Sequence, residues 1–121
     1  MKNWICLFFL SLLFINCGQK QETKTITTIE LKELLAKEKI QLVDVRTSKE
    51  IAQGSIKSAL FVNYFNADFS TKAANQLNKE KPVYLFCRTG NRSGKAAKIL
   101  QKQGFNVVNV IGGYTKWKTE N

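Results

Sequence analysis

One sequence feature constrains the fold of this chain more than any other. Short apolar segments alternate with polar turns and amphipathic segments. The two strongest segments, 40–45 and Val83–Phe86, are rich in branched and aromatic residues. Apolar runs of this length are typical of strands that are buried on both faces of a parallel sheet. Branched residues predict three further, weaker strands, which lie at 26–29, 59–62 and 105–110.

Apolar residues at helical spacing occupy the intervals between these segments. The predicted helices lie at 30–39, around 50–52, from about 70 to 78 and at 93–103, and Tyr114 and Trp117 fall in a predicted terminal turn. Strands that alternate with helices predict an α/β fold with a mainly parallel sheet of about five strands and helices on both faces. The predicted domain covers residues 26–121.

The first part of the chain is predicted to lie outside this domain. Its apolar run, 4–15, is too short to span a bilayer and has the length of a secretory signal core. Cys17, which follows the run closely, resembles the cysteine at the cleavage site of bacterial lipoproteins. The resemblance implies a signal peptide at 1–16, a lipidated Cys17 with a polar tether at 17–25, and export to a bacterial cell envelope as a membrane-anchored, periplasm-facing lipoprotein. An uncleaved short anchor and an ordinary signal peptide are the alternatives.

The composition excludes several kinds of catalytic and metal-binding site. The sequence contains no histidine, which excludes Cys–His and Ser–His catalytic pairs and histidine metal ligands. Its three cysteines cannot complete a four-ligand zinc site by themselves, so we expect no metal. The net charge of +10 comes from scattered basic residues, which indicates a solvated lysine surface and not a nucleic-acid-binding arm. Attraction to anionic headgroups is a weaker alternative.

Cys87 is the one cysteine that we expect to keep a free thiol. Cys6 lies in the predicted signal and Cys17 would be acylated, so Cys87 has no partner for an intramolecular disulfide. It directly follows the strand Val83–Phe86, at the edge of the sheet where open α/β sheets bind ligands. A buried, inert cysteine is the alternative. The residues around Cys87 favour a reactive thiol.

The segment 87–94 combines three features that stabilise a thiolate. The following helix directs its N-terminal amides toward the sulfur, a tight turn at Gly90 can gather further amides, and Arg88 and Arg92 add positive charge. Ser93 is the expected N-cap of the helix. Because no general base is evident, a preformed thiolate would attack a sulfane sulfur or a phosphate ester and would not hydrolyse a peptide bond.

These residues resemble the single-domain rhodaneses, a family of sulfurtransferases. The resemblance rests on Cys87-Arg88-Thr89-Gly90-Asn91-Arg92-Ser93 against the family's Cys-x-x-Gly-x-Arg-Ser loop, on Asp44-Val45-Arg46 with Glu50, on Gly54-Ser55-Ile56 with Ala59, and on 106–117. Ser55 and Ser58 stand where the family has histidine and glycine. The four pieces extend over nearly the whole predicted domain in the family's order.

The resemblance implies a persulfide shuttle without a metal or an organic cofactor. Cys87 would accept a sulfane sulfur from a small donor such as thiosulfate and pass it to a thiol or cyanide-like acceptor. The residues expected to bind the substrate are the rest of the loop, namely Arg88, Thr89, Gly90, Asn91, Arg92 and Ser93. The chain is expected to be a monomer with no nucleic-acid partner.

Two other functions and one structural interpretation accompany this prediction. A non-catalytic module that carries a persulfide or docks a partner is the first alternative. A Cys-dependent phosphatase is weaker, because phosphatases of this fold place five residues between cysteine and arginine, whereas four separate Cys87 from Arg92. Asp44 and Arg46 are interpreted as structural, with Arg46 paired to Glu50 and Asp44 accepting backbone amides.

Overall fold

The computed structural model describes residues 22–121. The predicted signal peptide, the lipidation of Cys17 and most of the predicted tether lie outside the described residues and stay predictions. Within 22–121, no helix is long and apolar enough to cross a bilayer.

Ten elements follow one another in strict alternation of strand and helix. The strands are β1 Lys24–Ile26, β2 Gln41–Asp44, β3 Leu60–Phe61, β4 Val83–Phe86 and β5 Val107–Val110. The helices are α1 Thr28–Lys37, α2 Ser48–Ala52, α3 Phe69–Gln76, α4 Asn91–Lys102 and α5 Gly113–Glu120. The strands form one sheet in the order β1-β5-β4-β2-β3, and every pairing is parallel. The predicted α/β fold with a five-stranded parallel sheet is therefore confirmed.

Alternate residues of the central strands contribute to two separate hydrophobic clusters. Val43 and Leu85 face α3 and α4, whereas Leu42 and Phe86 face α1 and α5. Because side chains of a strand alternate between the two faces of a sheet, each central strand is buried on both sides. Helices cover both faces, as predicted, and the helix α4 contributes three fully buried apolar residues, Ala96, Ala97 and Leu100.

The boundary between the first strand and the first helix differs from the prediction, and Thr27 is the reason. The predicted strand at 26–29 lies instead at Lys24–Ile26. The Thr27 hydroxyl accepts a hydrogen bond from the Glu30 amide, and the Glu30 carboxylate accepts one from the Thr27 amide. This capping box starts α1 at Thr28, so the branched residues Thr28 and Ile29 are helical.

Two further predictions about helices are wrong. The segment that contains Tyr114 and Trp117 forms the helix α5 and not a turn. It packs both aromatic side chains against the cluster that Leu31 and Phe86 belong to. The helix α4 begins at Asn91, two residues earlier than predicted.

Candidate active site

Cys87 lies at the carboxyl end of the central strand β4, at the floor of a short loop that leads into α4. The Gly90 amide donates a hydrogen bond to the Cys87 sulfur at 3.1 Å, and the Ser93 hydroxyl lies 3.4 Å from the same sulfur. Gly90, and not the predicted Ser93, is the N-cap of α4 and has a φ of +119°, which glycine adopts without a steric penalty. Ser93 is instead a buried residue of the first turn.

The loop is also fixed from the outside, by the start of α5. The Tyr114 amide donates to the Cys87 carbonyl at 2.8 Å, and the Thr115 amide donates to the Arg88 carbonyl at 3.0 Å. These bonds tie the backbone of the loop to the C-terminal helix. The position of the sulfur therefore depends on an element that is distant from it in sequence.

The surroundings of the sulfur favour its thiolate form. Only 1% of Cys87 is exposed, and this burial raises the pKa of the thiol. Hydrogen bonds from the Ser93 hydroxyl and from the amides of Ser93, Gly90 and Thr89 outweigh the burial, so the net pKa is lower than that of an ordinary cysteine. Amides of the loop and of the first turn of α4 surround the sulfur, as the sequence predicts.

The guanidinium of Arg92 forms its side-chain hydrogen bonds with Glu50 and not with the sulfur. The two bonds to the carboxylate of Glu50 are 2.7 and 2.8 Å long. The predicted pair between Arg46 and Glu50 is therefore wrong, since Glu50 reaches across to α4. The Arg92 guanidinium holds the pKa of Glu50 at about 2, and the carboxylate in turn raises the pKa of Arg92. The pair links α2 to the sulfur loop.

Replacing Glu50 by glutamine should destabilise the protein at neutral pH and have little effect in acid. The folded pKa of Glu50 lies below its ordinary value of 4.5, so its stabilisation is complete above pH 4.5 and is lost as the pH falls toward about 2. For a partly exposed pair we expect about 1–3 kcal/mol at pH 7. Urea unfolding of both proteins from pH 7 to pH 2.5 measures the difference, and a difference that does not depend on pH would contradict the assignment.

Arg46 forms a buried ion pair with Asp44, next to the site. The distance is 2.7 Å, and the two side chains are 3% and 1% exposed. Asp44 also accepts hydrogen bonds from the Arg46 amide and from the Ser55 hydroxyl. The Arg46 guanidinium donates to the Gly54 carbonyl and lies 4.2 Å from the ring centroid of Tyr114. The pair thus joins β2 to α5, in keeping with the structural interpretation of both residues.

The loop brings together the residues that the sequence assigned to substrate binding. Arg88, Thr89 and Asn91 are exposed, while Gly90 and Arg92 are partly buried. The described residues contain no group of three or more acidic or cysteine side chains that could hold a metal ion. Phe65 was not predicted near the site. Its ring is 65% exposed, and the Arg92 guanidinium lies 5.6 Å from its centroid.

Asn109 is a second residue that the sequence reasoning missed. It lies in β5, next to β4 in the sheet, and only 8% of it is exposed. Its side chain contacts both the Gly90 carbonyl and the Ser93 hydroxyl. An asparagine inside an otherwise apolar strand was the available signal, because a buried amide needs polar partners.

Comparisons with known proteins agree with this architecture. A family model described as a rhodanese-like domain matches residues 27–120. YtwF of Bacillus subtilis is 40% identical over 100 residues, which are 82% of this chain and 94% of that protein. Thiosulfate sulfurtransferase GlpE of Coxiella burnetii is 35% identical over 100 residues, which are 81% of this chain and 90% of that protein.

A solved structure of a protein from the same family has a similar fold. A rhodanese-like domain protein from Staphylococcus aureus matches with a TM-score of 0.72 at 40% identity, and the match covers 78% of this chain and 91% of that one. The chain therefore belongs to the rhodanese-like family, in which its relatives include thiosulfate sulfurtransferases.

Proposed function

We propose that the protein is a sulfurtransferase that carries a sulfane sulfur on Cys87. The observation that supports this most is the Cys87 sulfur itself, which lies at the floor of a loop whose amides lower its pKa. A cysteine with a lowered pKa presents more of its thiolate, which can attack without a general base. The chain has no histidine to serve as one. The name of the Coxiella burnetii relative suggests thiosulfate as a donor.

The reaction balances without any outside oxidant. The Cys87 thiolate attacks the outer sulfur of thiosulfate, the sulfur–sulfur bond of the donor breaks, and sulfite leaves with the electron pair. The product is a Cys87 persulfide, whose charged outer sulfur would accept hydrogen bonds from the amides of the loop. A thiol or cyanide then attacks the outer sulfur, and the Cys87 thiolate leaves. Thus no metal or organic cofactor is needed.

The intact mass of the full chain after incubation with thiosulfate tests the proposal. We expect a gain of one sulfur atom that is lost on addition of cyanide. The matched control is Cys87→Ser, which keeps Cys6 and Cys17 and should gain no sulfur. A gain that persists in the control would contradict transfer through Cys87. Failure of thiosulfate, polysulfide and organic persulfides alike would overturn the sulfurtransferase proposal and favour a docking module.

We also propose that the protein is anchored in a bacterial envelope through Cys17, with its site turned away from the membrane. The described chain enters the sheet at Lys24, at the amino end of β1, whereas Cys87 follows the carboxyl end of β4. Because all strands are parallel, these two points lie at opposite edges of the sheet. A separate mass measurement, on the chain isolated from the membranes of a bacterial host, tests the anchor. It should show the loss of residues 1–16 and the addition of acyl chains.

A further inference from the structure

The Ser93 hydroxyl faces two acceptors and has one proton to donate. Its oxygen lies 3.4 Å from the Cys87 sulfur and 2.6 Å from Oδ1 of Asn109. Ser93 is fully buried, so no solvent competes for the proton. A hydroxyl can donate only one hydrogen bond at a time. The 2.6 Å distance is short for a bond between two oxygens, so Asn109 competes with the larger sulfur atom for this one proton.

The orientation of the Asn109 side chain is fixed by the backbone of the loop. Its Nδ2 donates to the Gly90 carbonyl at 3.1 Å, which leaves Oδ1 toward Ser93. An amide turned by half a rotation would place an oxygen against that carbonyl oxygen, which is unfavourable. The amide also packs closely on α4 at Gly94. A Cβ added to this glycine would lie only 3.3 Å from Nδ2 of Asn109. The buried amide is thus locked as the acceptor of the Ser93 proton.

We propose that Asn109 is a positioning residue that holds the Ser93 hydroxyl proton away from Cys87 and so limits the hydrogen bonds that the sulfur receives. This role rests on the proposed function, in which Cys87 is the attacking thiolate. A thiolate with fewer hydrogen-bond donors is the stronger nucleophile, since nucleophilicity decreases as the pKa of a thiol decreases. Asn109 would therefore preserve the reactivity of a sulfur that already accepts a hydrogen bond from the Gly90 amide.

The charged groups around the sulfur do not account for the orientation of the Ser93 hydroxyl and the Asn109 amide. Arg92 of α4 is paired with Glu50 of α2, and Arg88 is exposed. The other nearby charges are Asp44 and Arg46 at the end of β2, which pair with each other. Neither Ser93 nor Asn109 contacts any of them among the hydrogen bonds of the described residues. A neutral substitution at Asn109 therefore leaves the charge around Cys87 unchanged.

Asn109→Leu is the first variant to measure, since it removes the competing acceptor and keeps the branched shape of the side chain. The Ser93 hydroxyl is then free to turn to the sulfur, and we expect the Cys87 pKa to fall by about 0.5–1 unit. Gly90 keeps a hydrogen bond in this variant, because its carbonyl also accepts from the Gly94 amide at 3.0 Å. The measurement is the rate of alkylation of the Cys87 peptide of the full chain as a function of pH. Asn106→Leu, at an exposed asparagine of the same chain segment, is the control and should cause no shift.

A double-mutant cycle separates this role from a merely structural one. In a Ser93→Ala background there is no proton to release, so Asn109→Leu should then leave the Cys87 pKa unchanged. Equal shifts in both backgrounds, or no shift in a variant that keeps the wild-type circular dichroism, would overturn the proposal.

A second variant covers the case in which Asn109→Leu does not fold. Asn109→Asp keeps the acceptor and adds a negative charge, so it should raise the Cys87 pKa. A decrease in this variant would also overturn the proposal. The alkylation rates do not depend on sulfur transfer. If the cycle behaves as expected and no persulfide forms, the proposed function fails while the role of Asn109 stands.

Discussion

Replacing Asp44 by alanine should destabilise the fold by about 3–5 kcal/mol, because it leaves the Arg46 guanidinium buried without a counter-charge. Only 3% of Arg46 is exposed, so the freed charge cannot reach water without local unfolding. The remaining contacts of the guanidinium, the Gly54 carbonyl and the Tyr114 ring, carry no full charge to replace the carboxylate. Ser55 loses its acceptor as well. Urea unfolding of the variant at neutral pH measures the loss.

Two controls distinguish the buried charge from the loss of a carboxylate as such. Asp68→Ala breaks an exposed pair with Lys72, 3.7 Å apart, and should change the stability by less than about 1 kcal/mol. Removing both buried charges, with Asp44→Leu and Arg46→Met together, should recover much of the stability that Asp44→Ala loses. If the double variant is as unstable as Asp44→Ala, the unpaired charge is not the cause.

The sequence predicted the sheet and the position of the sulfur well, because both depend on local patterns. The apolar run Val83–Phe86 has the observed bounds of β4, and Cys87 follows it directly. The positive φ of Gly90 and the amides around the sulfur were also foreseeable, since a strand, a tight turn and a helix in succession leave few arrangements. The Cys87 loop is thus determined mostly by residues that are close in sequence.

Side-chain partners were predicted less well, because they depend on the three-dimensional arrangement of distant elements. A separation of four residues suggested a pair between Arg46 and Glu50. In the structure each has a different partner, Asp44 for Arg46 and Arg92 for Glu50. Glu50 and Arg92 are 42 positions apart in the chain, so no local spacing could reveal them. Asn109 was missed for the same reason, since its partners lie in another element.

The helix α5 was missed because two glycines, which favour turns, stand at its N-cap and its first position. Tertiary contacts stabilise the helix in spite of that start. Tyr114 and Trp117 pack on the core, and the amides of the first turn donate to the loop around Cys87. The second glycine, Gly113, lies where this helix meets the loop. It is therefore the position where a small change should have a large effect on both stability and function.

Replacing Gly113 by alanine should cost about 3 kcal/mol or more and abolish most sulfur transfer. A Cβ at this position would lie 2.5 Å from the Cys87 carbonyl oxygen and 2.6 Å from that of Arg88. Those atoms are backbone and cannot rotate away, so α5 or the loop must move. The φ of +56° adds a further penalty of about 1–2 kcal/mol for a residue with a side chain. A displacement of the Cys87 backbone by about 1 Å can reduce a rate by about 100-fold.

Gly104→Ala is the matched control, because it also places a side chain at a positive φ but meets no backbone atom. Gly104 has a φ of +96°, and a Cβ there would meet only the Nζ atom of Lys79, at 3.9 Å. We therefore expect a loss of about 1–2 kcal/mol and nearly wild-type persulfide formation. Thermal unfolding and the rate of sulfur uptake from thiosulfate measure both variants. Equal losses of stability and of sulfur uptake in the two variants would show that backbone strain dominates. The contact between Gly113 and the Cys87 carbonyl would then not position the loop. A selective loss of uptake in Gly113→Ala would show that the helix α5 holds the Cys87 sulfur in place.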